Sequence, residues 1–126
     1  MTTSKKTTYE AYKNLIDDFV KEAHEGGGSP RLAKFNKVVP PFDEDETQYC
    51  EFIDSLTDSQ KKLLINILRQ ERIEAFHDLL AQLTYHIDLN GVGMAYNNEP
   101  MSVGIEGGLH QDFIGRLNGD WDWPDH

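Results

Sequence analysis

Apolar residues recur at three- and four-residue steps near the start of the chain. Tyr9, Tyr12, Leu15, Ile16, Phe19, Val20 and Ala23 form one stripe, and Lys13, Asp17, Asp18 and Lys21 fall away from it. That period predicts an amphipathic helix with one face in a core. Thr7 and Glu10 have the spacing of a capping box, so the helix is expected to begin there. Gly26-Gly27-Gly28 should stop it near His24 or Glu25, because glycine loses the most freedom on ordering. Ser29-Pro30 then offers an N-cap and a first helical residue for a short second helix through Leu32, Phe35 and Val38. Pro40-Pro41 closes that element, since neither ring nitrogen can donate a hydrogen bond. Asp43 and Glu46 repeat the capping spacing and predict a third helix that buries Tyr49, Phe52, Ile53 and Leu56, with Cys50 beside them as a small core residue.

Thr57 and Gln60 mark a further start, and from there to Asn90 the chain has neither Gly nor Pro. Ile65, Leu68, Phe76, Leu79, Leu80, Leu83 and Ile87 hold one helical phase throughout, and Leu63, Leu64 and Ile67 widen the apolar front of the first half. The polar patch Arg69-Gln70-Glu71-Arg72 interrupts the stripe, so residues 58–89 read as one helix or two, with the break near Arg72 preferred because long uninterrupted helices are uncommon in small domains. After Asn90-Gly91, alternation at Val92, Met94 and Tyr96, and again at Met101, Val103 and Ile105, predicts a β-hairpin over 92–105 around the four-residue turn Asn97-Asn98-Glu99-Pro100. A last helix through Leu109, Phe113, Ile114 and Leu117 should end at Asn118-Gly119. In the acidic tail 120–126, at least one of Trp121 and Trp123 is expected to dock. The expected fold is therefore mainly α: a compact bundle of about five helices with a short hairpin in the C-terminal half, forming one domain over 1–126 with residues 1–6 flexible.

Composition supports a core: 38% of residues are hydrophobic and 27% charged. Charge changes the picture more, because the net −10 is spread unevenly. Residues 1–40 sum to +2, 41–60 to −7, 61–90 to zero and 91–126 to −5. Seven acids lie between Phe42 and Asp58, with no Lys or Arg among them. Nucleic-acid binding depends on clustered bases that neutralise phosphate, and these acidic stretches would repel it. The expected partner is instead a basic protein, met through Asp43, Glu44, Asp45, Glu46, Glu51 and Asp54, with the protein a non-enzymatic binding module. Its concrete version is an inhibitor or immunity-type protein that neutralises a basic toxin or nuclease. Acids in the first turn of the third helix also have a structural reason to be there, since they complement its dipole.

Nothing in the chain has the length and apolarity of a membrane span, the N-terminus has no apolar signal region, and the single Cys50 cannot form an internal disulfide. A cytoplasmic monomer or homodimer is the expectation. No motif fixes a catalytic residue, cofactor or metal. Glu74-x-x-His77 has the helical spacing that di-iron carboxylate bundles use, but such sites need a second copy and two further glutamates. Cys50 lies among acids that disfavour a thiolate, so it makes a poor nucleophile. The segment Glu106-Gly107-Gly108-Leu109-His110-Gln111-Asp112-Phe113 is the best place for a small-molecule site, because two glycines allow close backbone approach and His110 and Asp112 fall in the first turn of a helix. Glu74, His77, His110, Asp112 and Arg116 form the alternative candidate, a small-molecule or metal pocket. A third alternative makes the hairpin, with Val92, Met94, Met101 and Val103, a homodimer surface.

Overall fold

Caps and glycine turns set most element boundaries in the computed structural model, which describes residues 2–36, 46–105, 107–120 and 122–124. The elements are α1 (Thr2–Glu25), α2 (Gly28–Phe35), α3 (Glu46–Asp54), α4 (Asp58–Leu89), β1 (Met94–Tyr96), β2 (Glu99–Met101) and α5 (Leu109–Asn118). Among the described residues the protein thus has five helices and one antiparallel hairpin in its C-terminal half. This is the mainly α class that the apolar pattern predicts.

Several boundaries differ from expectation. Helix α1 begins at Thr2, five residues before the Thr7 cap, because nothing in Thr2–Lys6 breaks a helix. Helix α2 begins at Gly28, with Gly27 as its N-cap and no side-chain cap bond, so Ser29 and Pro30 lie inside its first turn. Gly27 itself has φ 86°, a left-handed conformation that lets α1 turn into α2 and that a residue with a Cβ resists. Asn36, at φ 56°, ends α2 at Phe35, and its N–H returns to the Leu32 carbonyl. Val38, Pro40, Pro41 and the proposed Asp43 cap lie outside the described residues.

Helix α4 is one helix of 32 residues, without a break at Arg72. The Arg69-Gln70-Glu71-Arg72 patch is polar but made of strong helix formers, so it interrupts the apolar stripe without interrupting the helix. Its start is the expected capping box: Thr57 N–H donates to Gln60 Oε1 at 2.8 Å, and Gln60 N–H donates to Thr57 Oγ1 at 3.1 Å.

The hairpin turn has two residues, not four. Asn97 and Asn98 both have positive φ, 50° and 66°, as a type I′ turn requires. The strands pair Tyr96 with Glu99, Ala95 with Pro100 and Met94 with Met101. Next to a two-residue loop, alternation makes the Ala95–Pro100 pair a non-hydrogen-bonded one, so Pro100 can sit in a strand without removing a ladder bond.

The fold divides into two units. The first joins Met1–Glu22 to Ala75–His126. Its core is Tyr12, Ile16, Leu80, Leu109 and Phe113, all buried, with Phe76 stacked on Phe113 at 5.8 Å and meeting Phe19 edge-on at 6.2 Å. Each fully buried side chain of this size contributes roughly 1.5–3 kcal/mol. Helix α5 closes on Gly119 at φ 71°, whose N–H, with that of Asp120, returns to the carbonyls of Arg116 and Gly115.

The second unit, Ala23–Glu74, buries Ala23, Leu32, Ile53 and Ile73. It leaves Phe35, Tyr49, Phe52, Leu63 and Ile67 exposed. On α3 only Ile53 of the four expected core residues is fully buried; Leu56 and Cys50 are half-buried, and Tyr49 and Phe52 are 42% and 54% exposed. The expected buried face is thus narrower, because a helix of 9 residues with one deeply buried side chain leaves its flanks in water.

Candidate functional site

The acidic face begins outside the described residues, where Asp43, Glu44 and Asp45 fall. Glu46 opens α3, and Glu51 and Asp54 follow as exposed side chains. Asp54 Oδ1 accepts a hydrogen bond from Asn36 Nδ2 at 3.1 Å, so the residue that ends α2 also fixes one acid at the end of α3. Tyr49 and Phe52 stand one turn apart on the same short helix. Helix α3 therefore exposes two aromatic rings on one side and the carboxylates of Glu51 and Asp54 further round, a combination that the charge pattern by itself does not reveal.

Of the five alternative pocket residues, the structure brings His77 and His110 together and gives the others different work. The two imidazoles meet edge to face with ring centroids 5.2 Å apart. His77 Nδ1 lies 3.2 Å from Asp78 Oδ1, its neighbour in sequence. Glu74 is exposed, and it is Asp78 that meets the imidazole. Among the described residues, no three His, Cys, Asp or Glu side chains are grouped so as to hold a metal ion.

Asp112 is fully buried, and its Oδ2 is a meeting point. The Tyr12 hydroxyl donates to it in a short hydrogen bond, and Ile105 N–H donates to it at 2.6 Å. Gly104 N–H in turn donates to the Tyr12 oxygen at 3.0 Å. One carboxylate and one phenol thus satisfy two successive amides of the segment between β2 and α5. Burial, followed by the hydrogen bond to Asp112, pushes the Tyr12 pKa well above its ordinary value, while the Gly104 amide pulls weakly the other way.

Leu109 N–H, an orphan donor at the start of α5, is satisfied by Thr84 Oγ1 at 3.1 Å, while Thr84 itself donates to the Leu80 carbonyl at 2.9 Å. The N-cap is Gly108, which has no side chain to offer; a Cβ there would lie 2.8 Å from Thr84 Cγ2. Gly108 is needed for space, not for an unusual φ.

Arg116 is not in a pocket with these groups. Its Nε donates to Asp17 Oδ1 at 2.9 Å, and its guanidinium lies 5.4 Å from the Trp123 ring centroid. Trp123 Nε1 donates to Asp17 Oδ2 at 2.9 Å, the Trp123 ring meets Tyr9 and Tyr12 edge-on, and the Tyr9 hydroxyl donates to the Pro124 carbonyl. The tail docks as expected, through Trp123; Trp121 is outside the described residues. In the sequence Tyr9 and Tyr12 read only as parts of the apolar stripe and Asp17 only as a polar residue off it, because partners about a hundred residues away leave no local signal.

In class this is a mainly α protein whose buried polar pair organises structure and whose exposed acids and aromatics share a short helix. The chain belongs to a family of unknown function, DUF6547, which it matches over residues 5–125. Neither a curated protein nor a solved structure gives a significant match. No helix among the described residues is long and apolar enough to cross a membrane.

Proposed function

We propose that the protein is a binding module that docks a basic protein partner on α3, as an inhibitor or immunity-type protein would. The observation that carries this reading is the exposure of Tyr49 and Phe52 on the helix that also bears Glu51 and Asp54. Aromatic anchors supply most of the energy in protein interfaces, while surrounding charges steer the encounter and select the partner. Phe35, Leu63 and Ile67 are further exposed apolar side chains of the same unit.

The test measures binding of purified basic candidates, nucleases and toxins first, at low and high ionic strength. The expected result is a complex that weakens as salt rises, loses affinity at least tenfold in Tyr49→Ala or Phe52→Ala, and associates more slowly in Glu51→Lys. Binding that ignores both aromatic substitutions would rule out α3 as the docking face.

A further inference from the structure

We propose that the outer face of the second half of α4 docks a basic amphipathic helix of another protein, at a site within the first unit that does not rest on the α3 reading. Asp78, Gln82, Tyr85 and Leu89 recur at steps of four, three and four residues, and all four are exposed. Each residue turns about 100° around a helix, so these steps keep the four side chains on one stripe, roughly opposite the buried Leu80 and Thr84. This is the a/d spacing along which one helix packs against another. At about 1.5 Å of rise per residue the stripe is about 16 Å long, which matches roughly three turns of a partner helix.

The stripe is apolar where water would favour polar residues. Tyr85 and Leu89 are 52% and 68% exposed, and Leu79, which flanks them, is 69% exposed. Val92 N–H donates to the His86 carbonyl at 3.3 Å, which holds another exposed apolar residue at the last turn of the helix. The side of a helix that faces solvent ordinarily carries charged and polar residues, whereas here both the inner and the outer side carry large apolar ones. Tyr85 and Leu89 stand at i and i+4, the spacing of the anchors through which amphipathic helices are recognised.

Charge selects the occupant. Residues 73–115 contain no Lys or Arg. Asp78 heads the stripe and Asp88 precedes Leu89, both exposed, and the negative end of the α4 dipole falls at the same end as Leu89, with His86 the one basic residue of the last turn. A second copy presenting this face would set these acids against their own counterparts. A helix with apolar residues at a and d and Lys or Arg beside them covers Tyr85 and Leu89 and pairs with the carboxylates instead.

The experiment is calorimetric titration of the full chain with a designed helical peptide that carries leucine at a and d and lysine at the flanking positions, and with the same peptide carrying glutamate for lysine. The lysine peptide is expected to bind at least tenfold more tightly than the glutamate one, to weaken as salt rises, and to lose at least tenfold in Tyr85→Ala and in Leu89→Ala. Tyr49→Ala and Phe52→Ala should leave this affinity unchanged. Equal binding of the two peptides would overturn the proposal, as would wild-type affinity in both outer-face variants; loss only in the α3 variants would overturn it while leaving α3 as a docking face. A wild-type dimer that dissociates in Leu89→Asp, seen by sedimentation, would give the face to a second copy and also overturn it. Where a variant fails to fold, backbone amide shifts of the wild type locate the peptide, and shifts that leave residues 78–92 unmoved would count against the site.

Discussion

At the residue scale, Asp112 and Tyr12 dominate the first unit because they answer the polar demands of a loop that helices alone cannot satisfy. Asp112→Ala removes the acceptor for both the Tyr12 hydroxyl and the Ile105 amide. Each buried group left unsatisfied costs about 1–3 kcal/mol, so the variant should lose roughly 3–5 kcal/mol in urea unfolding. Tyr12→Phe keeps the ring in the core and strands one amide, so about 1–3 kcal/mol is expected. A double-mutant cycle should show strong coupling, since the two changes remove the same bond. The pH dependence has a definite sign. The folded-state pKa of Tyr12 is raised, so above the ordinary tyrosine value near 10 the unfolded chain releases a proton that the folded chain keeps. Stability that is full below that pH should therefore fall as pH rises through 10 and beyond. Tyr12→Phe should flatten this limb relative to wild type, measured as unfolding free energy between about pH 9 and 11.

Among the elements, local chemistry was legible wherever a short-range rule decides. The Thr57–Gln60 box, the Asn90-Gly91 stop and the Gly119 cap all depend on neighbours in sequence, and all three stand where the pattern puts them. Thr57→Ala should lower stability by about 1 kcal/mol through the lost cap. The hairpin turn was placed but misread in length, because Glu99-Pro100 looks like turn chemistry although Pro100 occupies a ladder position that asks for no N–H. Since Asn98 is held at φ 66°, Asn98→Gly should be neutral or slightly stabilising, and Asn98→Val should destabilise by roughly 1 kcal/mol or more. Comparison of the two melting temperatures checks this. The breadth of a buried face was not legible: periodicity assigns Tyr49 and Phe52 to the inner side of α3, but how far a face is covered depends on the elements packed against it. The same limit applied to the candidate pocket. His77 and His110 of that pocket do meet, but no spacing in the sequence told this, nor that Asp112 turns to Tyr12 or Arg116 to Asp17.

For the whole molecule, the two units differ in what holds each together, and that difference bears on function. The first has aromatic stacking, a buried tyrosine–carboxylate pair and a tail pinned through Trp123. Among the described residues the second has four buried apolar residues, one of them alanine, while each unit leaves five large apolar side chains in water. Burial of a large apolar side chain contributes roughly 1.5–3 kcal/mol, so with three such side chains buried among its described residues against five in the first, the second unit has less to set against the entropy of ordering its short helices. Native-state hydrogen exchange should accordingly find the amides of α2 and α3 opening at lower free energy than those of α1 around Tyr12 and of α5. A partner that covers Tyr49 and Phe52 would supply the missing burial, so α3 amides should gain protection on binding while those of α5 change little. Equal protection of α3 and α5 in the free protein would show that the exposed rings lie on a rigid scaffold. Selective protection of α3 by the partner would tie the weakness of this unit to the surface it keeps open.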